Sequence, residues 1–393
     1  MRKMWLLLIG VILCISVFVW FMTKNPTTQI LTEEQLDDPN FLEDKLAVLY
    51  YSTTMDTTPG KGFVVFVDEE GTIYPYQTKG LELGSVTYSD EVGAVFFQDE
   101  SHDYVVSKST GLTKRKRDKK QYTGDFVAAK DDDTFFSIFN TGIPDGSSEY
   151  QSDIYWEQGN ELKQDTLPFY IDTRGVHSNV IYLIAANPLN DEKMSVDFTL
   201  HQVTLSDKAE TKQMMSWNEA DAYPLSHLIY HDHHLYYMTL FHEQDQSYFK
   251  IGDIDLNKKT VTYHELFATN SELEQDYLPY GRKSIHIHDD LLYAIDGKGN
   301  IYTMALKTKQ IEKNFNIVEN INPASFVKVD WKDEQLFLYY SHLNEKEEVF
   351  EQSAIVIYDL LTREKTQTYE IEGLDDFLNK HHQVYAYDIA FIK

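Results

Sequence analysis

Little in this chain can carry covalent or metal chemistry by motif. One cysteine, Cys14, stands among 393 residues, inside an apolar N-terminal run. With no second cysteine there is neither a disulfide framework nor a thiolate zinc site in the folded part. Prolines number 10 and glycines 18, too few for a collagen-like or low-complexity chain. Neither His-Glu-x-x-His nor Gly-x-Ser-x-Gly occurs, and Gly297-Lys298-Gly299 lacks the context of a phosphate loop. The linear signatures of zinc proteases, α/β-hydrolases and nucleotide enzymes are therefore missing, and no metal or cofactor is expected. Positive charge is scarce too: 35 Lys and Arg face 63 Asp and Glu, a formal charge of −28. Such a surface is a poor partner for nucleic acid, whose phosphates need a concentrated positive field.

What is abundant is aromatic. Phe, Trp and Tyr make up 14% of the chain, with 27 Tyr and 22 Phe, a bias that suits half-buried pleated sheet and points to an all-β core. The N-terminus differs from the rest. Trp5 to Met22 is an uninterrupted, uncharged run that would rise about 27 Å as a helix, close to the hydrocarbon thickness of a bilayer. Arg2 and Lys3 precede it and the acidic body follows, so the positive-inside bias places residues 1–4 in the cytoplasm, a transmembrane helix at 5–22 and the body outside the cell membrane. The run ends Val19-Trp20-Phe21-Met22, without the small residues a cleavage site wants, and bulky Leu13 precedes Cys14 where a lipoprotein signal has a small residue. An uncleaved single-pass anchor is the expectation. Residues 23–44 read as a polar linker, with Phe41 and Leu42 beginning to dock on the body.

From residue 45 to 393 one phrase recurs: a short strand, a tight acidic or His-rich turn, an aromatic strand, a loop, a third strand, a turn and a Thr-rich fourth strand. Second strands begin near Val95, Phe135, Ile181, Leu235, Leu291 and Leu336, at intervals of 40 to 56 residues. Four short strands per such period make a propeller blade and are too long for one coil of a β-solenoid. The ends fix the number of blades. Residues 46–76 supply three strands of a blade that lacks its inner strand, and Val384 to Phe391 supply one spare strand. Pairing the two closes the ring and removes the sheet edges of an open array. The sequence thus predicts a seven-bladed β-propeller of four-stranded antiparallel blades.

Leu291 to Gln310 (LLYAIDGKGNIYTMALKTKQ) resembles the repeat of bacterial pyrroloquinoline-quinone-like and related seven- or eight-bladed propellers. The resemblance spans the repeated region and implies the fold. The docking Trp of the quinoproteins is replaced by Tyr263, Phe315 and Tyr369, a departure that argues against quinone chemistry.

His231-Asp232-His233-His234 and His286-Ile287-His288-Asp289-Asp290 offer metal-type donors. Both nevertheless fall at the repeated turn between first and second strands, where Ser89-Asp90-Glu91, Lys130-Asp131-Asp132-Asp133 and Lys332-Asp333-Glu334 stand in other copies. Turn chemistry accounts for them, since an Asp side chain can bond its local backbone. Lys114-Arg115-Lys116-Arg117-Asp118-Lys119-Lys120 reads as a charged outer edge, with contact to anionic headgroups or wall polymers as the alternative. Binding residues of a rigid propeller concentrate on the loops that ring one end of the channel. Trp217, Tyr223, His242, Tyr277, Tyr280, Arg282 and His342 are the aromatic, His and Arg candidates there. The expected role is a tethered binding or scaffold module for a protein partner or cell-surface ligand. The alternative is a glycan-processing hydrolase or lyase whose acidic and His groups converge from several blades.

Overall fold

Runs of Val, Ile, Phe and Tyr suit sheets covered on both faces, and the chain builds seven of them. A computed structural model describes residues 29–128, 135–144, 146, 149–158, 161–186, 195–317, 325–344, 346, 349–381 and 383–393. The predicted segments 1–4 and 5–22, Cys14 and the Lys130-Asp131-Asp132-Asp133 turn lie outside the described residues. Among the described residues no helix is long and apolar enough to cross a membrane.

Every sheet is antiparallel. Blade 2 comprises, from the inner strand outward, Val86–Ser89, Ala94–Gln98, His102–Ser107 and Gly111–Lys116. Blade 3 comprises Asp125–Ala128, Phe135–Gly142, Gln151–Gln158 and Glu161–Leu167; blade 4, Tyr170–His177, Val180–Ala186, Ser195–Leu205 and Ala209–Ala220. In blade 5 the inner strand is split into Ala222–Pro224 and Ile229–His231, both paired with His234–Glu243, and Gln246–Asp255 and Thr260–Asn270 follow. Blade 6 has Ile285–His288, Leu291–Ile295, Asn300–Ala305 and Ile311–Asn316; blade 7 has Ser325–Lys332, Gln335–Asn344, Val349–Asp359 and Glu364–Glu370. Blade 1 is composite: the C-terminal strand Tyr385–Phe391 is its inner strand, paired with Lys45–Ser52 in the register Val48 opposite Ala390 and Leu49 opposite Ile389. Lys61–Asp68 and Ile73–Lys79 complete it. The predicted closure is the one observed.

The core lies between neighbouring blades. Leu49, Phe63 and Val65 of blade 1 pack against Phe337, Tyr339 and Ile355 of blade 7, and Val48, Val64 and Phe66 pack on Val95 and Phe97 of blade 2. The hydroxyls of Tyr51 and Tyr339 meet at 2.5 Å across the first of these seams. Burying a face of each blade against the next is what makes the repeats interdependent.

The turns follow from their residues. Asp232 and His233 take φ of 45° and 63°, and Asp289 and Asp333 take 51° and 50°; two-residue hairpins need such left-handed backbone to match strand twist. Elsewhere an Asp ends a strand and caps the turn after it. Asp255 Oδ1 accepts from the amides of Asn257 and Lys258, Asp359 Oδ1 from Leu361 and Thr362, and Asp296 Oδ1 from Lys298 and Asn300.

The segment read as a linker joins the body earlier than expected. Thr32 and Gln35 form a reciprocal capping box on a single helical turn, Glu33–Leu36, satisfying amides that the turn itself leaves open. Leu31, Leu36 and Leu42 are buried in the seam of blades 1 and 2. The Leu31 amide donates to the Pro75 carbonyl at 2.7 Å.

Candidate functional site

The seven inner strands surround a channel. Loops joining second to third strands, and those joining one blade to the next, lie at the same end of it, and there the channel opens into a cavity of about 440 Å³. Its wall consists of the starts of inner strands and the turns that lead into them: residues 170–174, 224–225 and 227, 278–283, 328–329, 387–388, 83–85 and 123–124. All seven blades contribute, counting Ile138 and Asn140 of blade 3.

Charged groups are concentrated in this wall. Lys283 enters from the connection into blade 6 and reaches across the axis, where its ammonium donates to the carbonyls of Val86 in blade 2 and Ile389 in blade 1. It lies 3.1 Å from Asp388 Oδ1, and Asp388 Oδ2 accepts from the Val86 amide at 3.0 Å. One lysine thus ties non-adjacent blades across the pore. Lys328 of blade 7 donates to the Tyr280 carbonyl at 3.1 Å, and burial holds its ammonium pKa below the ordinary range. Arg282 Nη1 donates to the Pro224 carbonyl at 2.8 Å. Arg174, only 4% exposed, has Nη1 at 3.5 Å from His227 Nδ1. The His227 amide donates to the Arg282 carbonyl and the Leu228 amide to the Arg174 carbonyl, both at 2.8 Å, which fixes the three blades' entries side by side.

Solvent exclusion shifts the acid-base groups here. Burial, then the cations of Arg174 and Arg282, push His227 far below the usual imidazole range, so it is neutral. Burial raises the Asp172 carboxyl to about 6 against the opposing charge of Arg282. Burial also pushes up Asp330, behind the wall in blade 7, whose Oδ2 accepts from the Phe391 amide.

The structure separates the residues singled out from sequence. Tyr280 and Arg282 line the cavity. Tyr223 and His242 lie at the rim in blade 5: the Tyr223 hydroxyl donates to Asp221 at 2.8 Å, and His242 Nε2 is 2.6 Å from Glu274 Oε2. The Ser247 hydroxyl donates to the same Glu274 oxygen at 2.5 Å. Trp217 and Tyr277 sit in seams between blades, the Trp217 indole donating to Tyr263 at 3.1 Å and Tyr277 packing 5.5 Å from Phe267. His342 pairs within blade 7, 3.5 Å from Glu351 Oε1. Sequence reasoning looked to loops and passed over Asp172, Arg174, His227, Lys328 and Asp388. A signal was present: charges interrupt otherwise apolar inner strands, as in Phe326-Val327-Lys328-Val329-Asp330 and Tyr385-Ala386-Tyr387-Asp388-Ile389. Among the described residues no three His, Cys, Asp or Glu side chains group to hold a metal ion.

Exposed large hydrophobics are unevenly distributed over the two ends of the ring. Ten large hydrophobic side chains are exposed on the described surface. Met55, Leu83, Tyr122, Ile143, Tyr223, Leu273 and Tyr385 belong to loops or strand ends at the cavity end, while Leu291 and Leu361 lie at turns on the opposite end.

The family described as YycP, beta-propeller domain, matches residues 40–392. An uncharacterized protein of Bacillus subtilis (strain 168), YycP, is 25% identical over 401 residues, covering 100% of this chain and 99% of that one. Among solved structures, a Synechocystis apocarotenoid oxygenase mutant is 10% identical with a TM-score of 0.48, covering 85% of this chain and 91% of its own. Apo AztD from Citrobacter koseri is 11% identical with a TM-score of 0.46, covering 88% and 98%. BamB from Moraxella catarrhalis is 8% identical with a TM-score of 0.40, covering 82% and 83%.

Proposed function

This chain belongs to the YycP β-propeller family, and from that premise we propose that it is a binding or scaffold module. In this reading the 5–22 segment tethers the propeller to the outer face of a membrane, and the cavity end engages a protein partner or cell-surface ligand. The observation that carries it is an uneven apolar surface: of ten exposed large hydrophobics among the described residues, seven lie in loops or strand ends at the cavity end of the ring, Leu83 of them in the cavity wall itself. Scattered apolar residues are ordinary on any surface, but their bias to the end of the ring that holds the cavity fits an interaction face there.

Photo-crosslinking residues placed at Leu83, Tyr223 and Leu361 of the full-length chain test this in cells. Adducts are expected from the two mouth positions and not from Leu361, with the yield lowered by Tyr280→Ala plus Arg282→Ala. Equal yields from both ends, or none from the mouth, would count against the reading. The tether is tested separately by fractionation, which should leave the full chain in carbonate-washed membranes. A second reading, hydrolysis or cleavage of a glycan, is favoured by the Asp172 carboxyl, held at about 6 in the cavity and so able to serve as an acid near neutral pH. Glycan turnover by the purified protein, abolished in Asp172→Asn, would favour it over binding.

A further inference from the structure

The chain as a whole is acidic, at −28, so an average patch of its surface repels anions. The cavity wall departs from that average. Its charged side chains are Arg174, Arg282, Lys283 and Lys328 against Asp172 and Asp388. The wall as a whole thus carries four cationic side chains against two carboxyls, with Lys283 lying 3.1 Å from Asp388 Oδ1. Arg174, Arg282 and Lys328 come from blade 4, from the connection into blade 6 and from blade 7, three separate stretches of chain that the ring brings to one concavity. Arg282 is exposed at the mouth and Arg174 is buried below it. Between and around them the wall is apolar and aromatic, with Ile138, Tyr170, Leu225, Pro279 and Tyr280.

We propose that this cavity binds an organic oxyanion, a carboxylate- or phosphate-headed molecule whose head meets Arg282, Arg174 and Lys328 and whose body packs on Tyr170, Leu225 and Tyr280. The proposal rests on the reading of the cavity end as the binding end, and it names the ligand chemistry. Guanidinium forks match carboxylate and phosphate oxygens in pairs, and partial exclusion of water strengthens each such contact. A wall that is mainly apolar with a few convergent polar groups is the usual make-up of a small-molecule site, and about 440 Å³ is within the usual size range. Neutral His227 adds a hydrogen-bonding group to the wall without adding charge.

Calorimetric titration of the full-length protein with benzyl phosphate, phenylacetate and benzyl alcohol tests this. The neutral alcohol has the same ring, so the difference isolates the charge. At least one anion is expected to bind about tenfold or more tightly than the alcohol, with affinity falling as salt is raised from about 50 to about 300 mM. Whichever anion binds better identifies the head group. Arg282→Gln, at an exposed position, is expected to weaken anion binding about tenfold while the protein keeps a single cooperative melt, and Arg282→Lys to weaken it less. Lys328→Gln supplies a second, independent position. Equal binding of the alcohol and both anions, no anion binding up to about 10 mM, or unchanged affinity in both glutamine variants would overturn the proposal. Crosslinks at the mouth without anion binding would remove this inference alone. Anion binding without crosslinks would remove the macromolecular partner and leave the cavity site standing.

Discussion

Single residues decide where this fold tolerates charge in its interior. The run 114–120 looks in sequence like one basic edge, yet its members have different fates. Lys114, Arg115, Lys119 and Lys120 reach Glu33, Glu157, Asp153 and Glu100. Arg117 instead turns inward, 2% exposed, pairs with Asp103, donates to the Asp99 carbonyl and stands 4.5 Å over the Phe139 ring. Nothing in the run itself distinguishes Arg117, because its partner Asp103 is on a different strand. Removing it in Arg117→Met strands a carboxylate that burial already pushes up, and a loss of about 3–5 kcal/mol is expected in urea unfolding. Adding Asp103→Asn should recover part of that loss, and failure to recover any would contradict the pairing. Asp172 gives a pH signature. The folded chain holds its proton up to about 6, more tightly than the unfolded chain, where a carboxylate titrates near about 4. The folded state therefore binds the extra proton, and native stability falls as pH rises through that window and is level above it. Asp172→Asn lacks this loss. Its melting temperature relative to the parent protein should climb between about pH 4 and 6 and then stay constant, and a flat difference across the window would refute the assignment.

At the scale of the element, the least expected piece is the N-terminal strap. Residues 31–42 are mostly polar, and their four apolar members, Leu31, Leu36, Phe41 and Leu42, follow no strand period. The structure buries Leu36 fully between blades 1 and 2, anchors Glu33 to Lys114 and has Asp37 Oδ1 accept from the Leu112 amide at 3.0 Å. Leu36→Ala should cost about 2–5 kcal/mol in thermal or urea unfolding, while exposed Glu34→Ala should be near neutral. A neutral Leu36→Ala would mean the strap is not docked in solution. The strands themselves were far more legible. The observed second strands begin at Ala94, Phe135, Val180, His234, Leu291 and Gln335, within a residue of their sequence-based positions. Turn residues and two-residue alternation are local signals that survive without knowing the fold. The cavity was less legible for a physical reason. Asp172, Arg174 and Lys328 are neighbours only after the ring has closed, and a charge in an inner strand acquires meaning only when that strand is known to face a pore.

For the whole molecule, the consequential feature is that the ring closes through a strand from the far end of the chain. Tyr385–Phe391 pairs with Lys45–Ser52, places Phe391 in a 3.8 Å stack on Phe337 of blade 7 and puts Ile389 in the seam between blades 1 and 7. The same strand presents Asp388 and the Ile389 carbonyl to Lys283 across the pore. One segment thus supplies an inner strand, part of a seam and an anchor for the cavity wall. An open seven-blade array would expose the unpaired edge of Lys45–Ser52 together with Val48, Leu49 and Tyr50, a flat apolar edge of the kind that pairs with other chains. A chain ending at Val384 is therefore expected to lose the parent's cooperative melt and to elute as oligomers or aggregate. Removal of Lys393 alone, whose partner is Glu69 at the surface, should leave both properties intact. If the chain ending at Val384 stayed monomeric and kept its melting temperature, the composite blade could not be what holds the ring, and the alignment of cations around the cavity would have to be maintained by the other six seams alone.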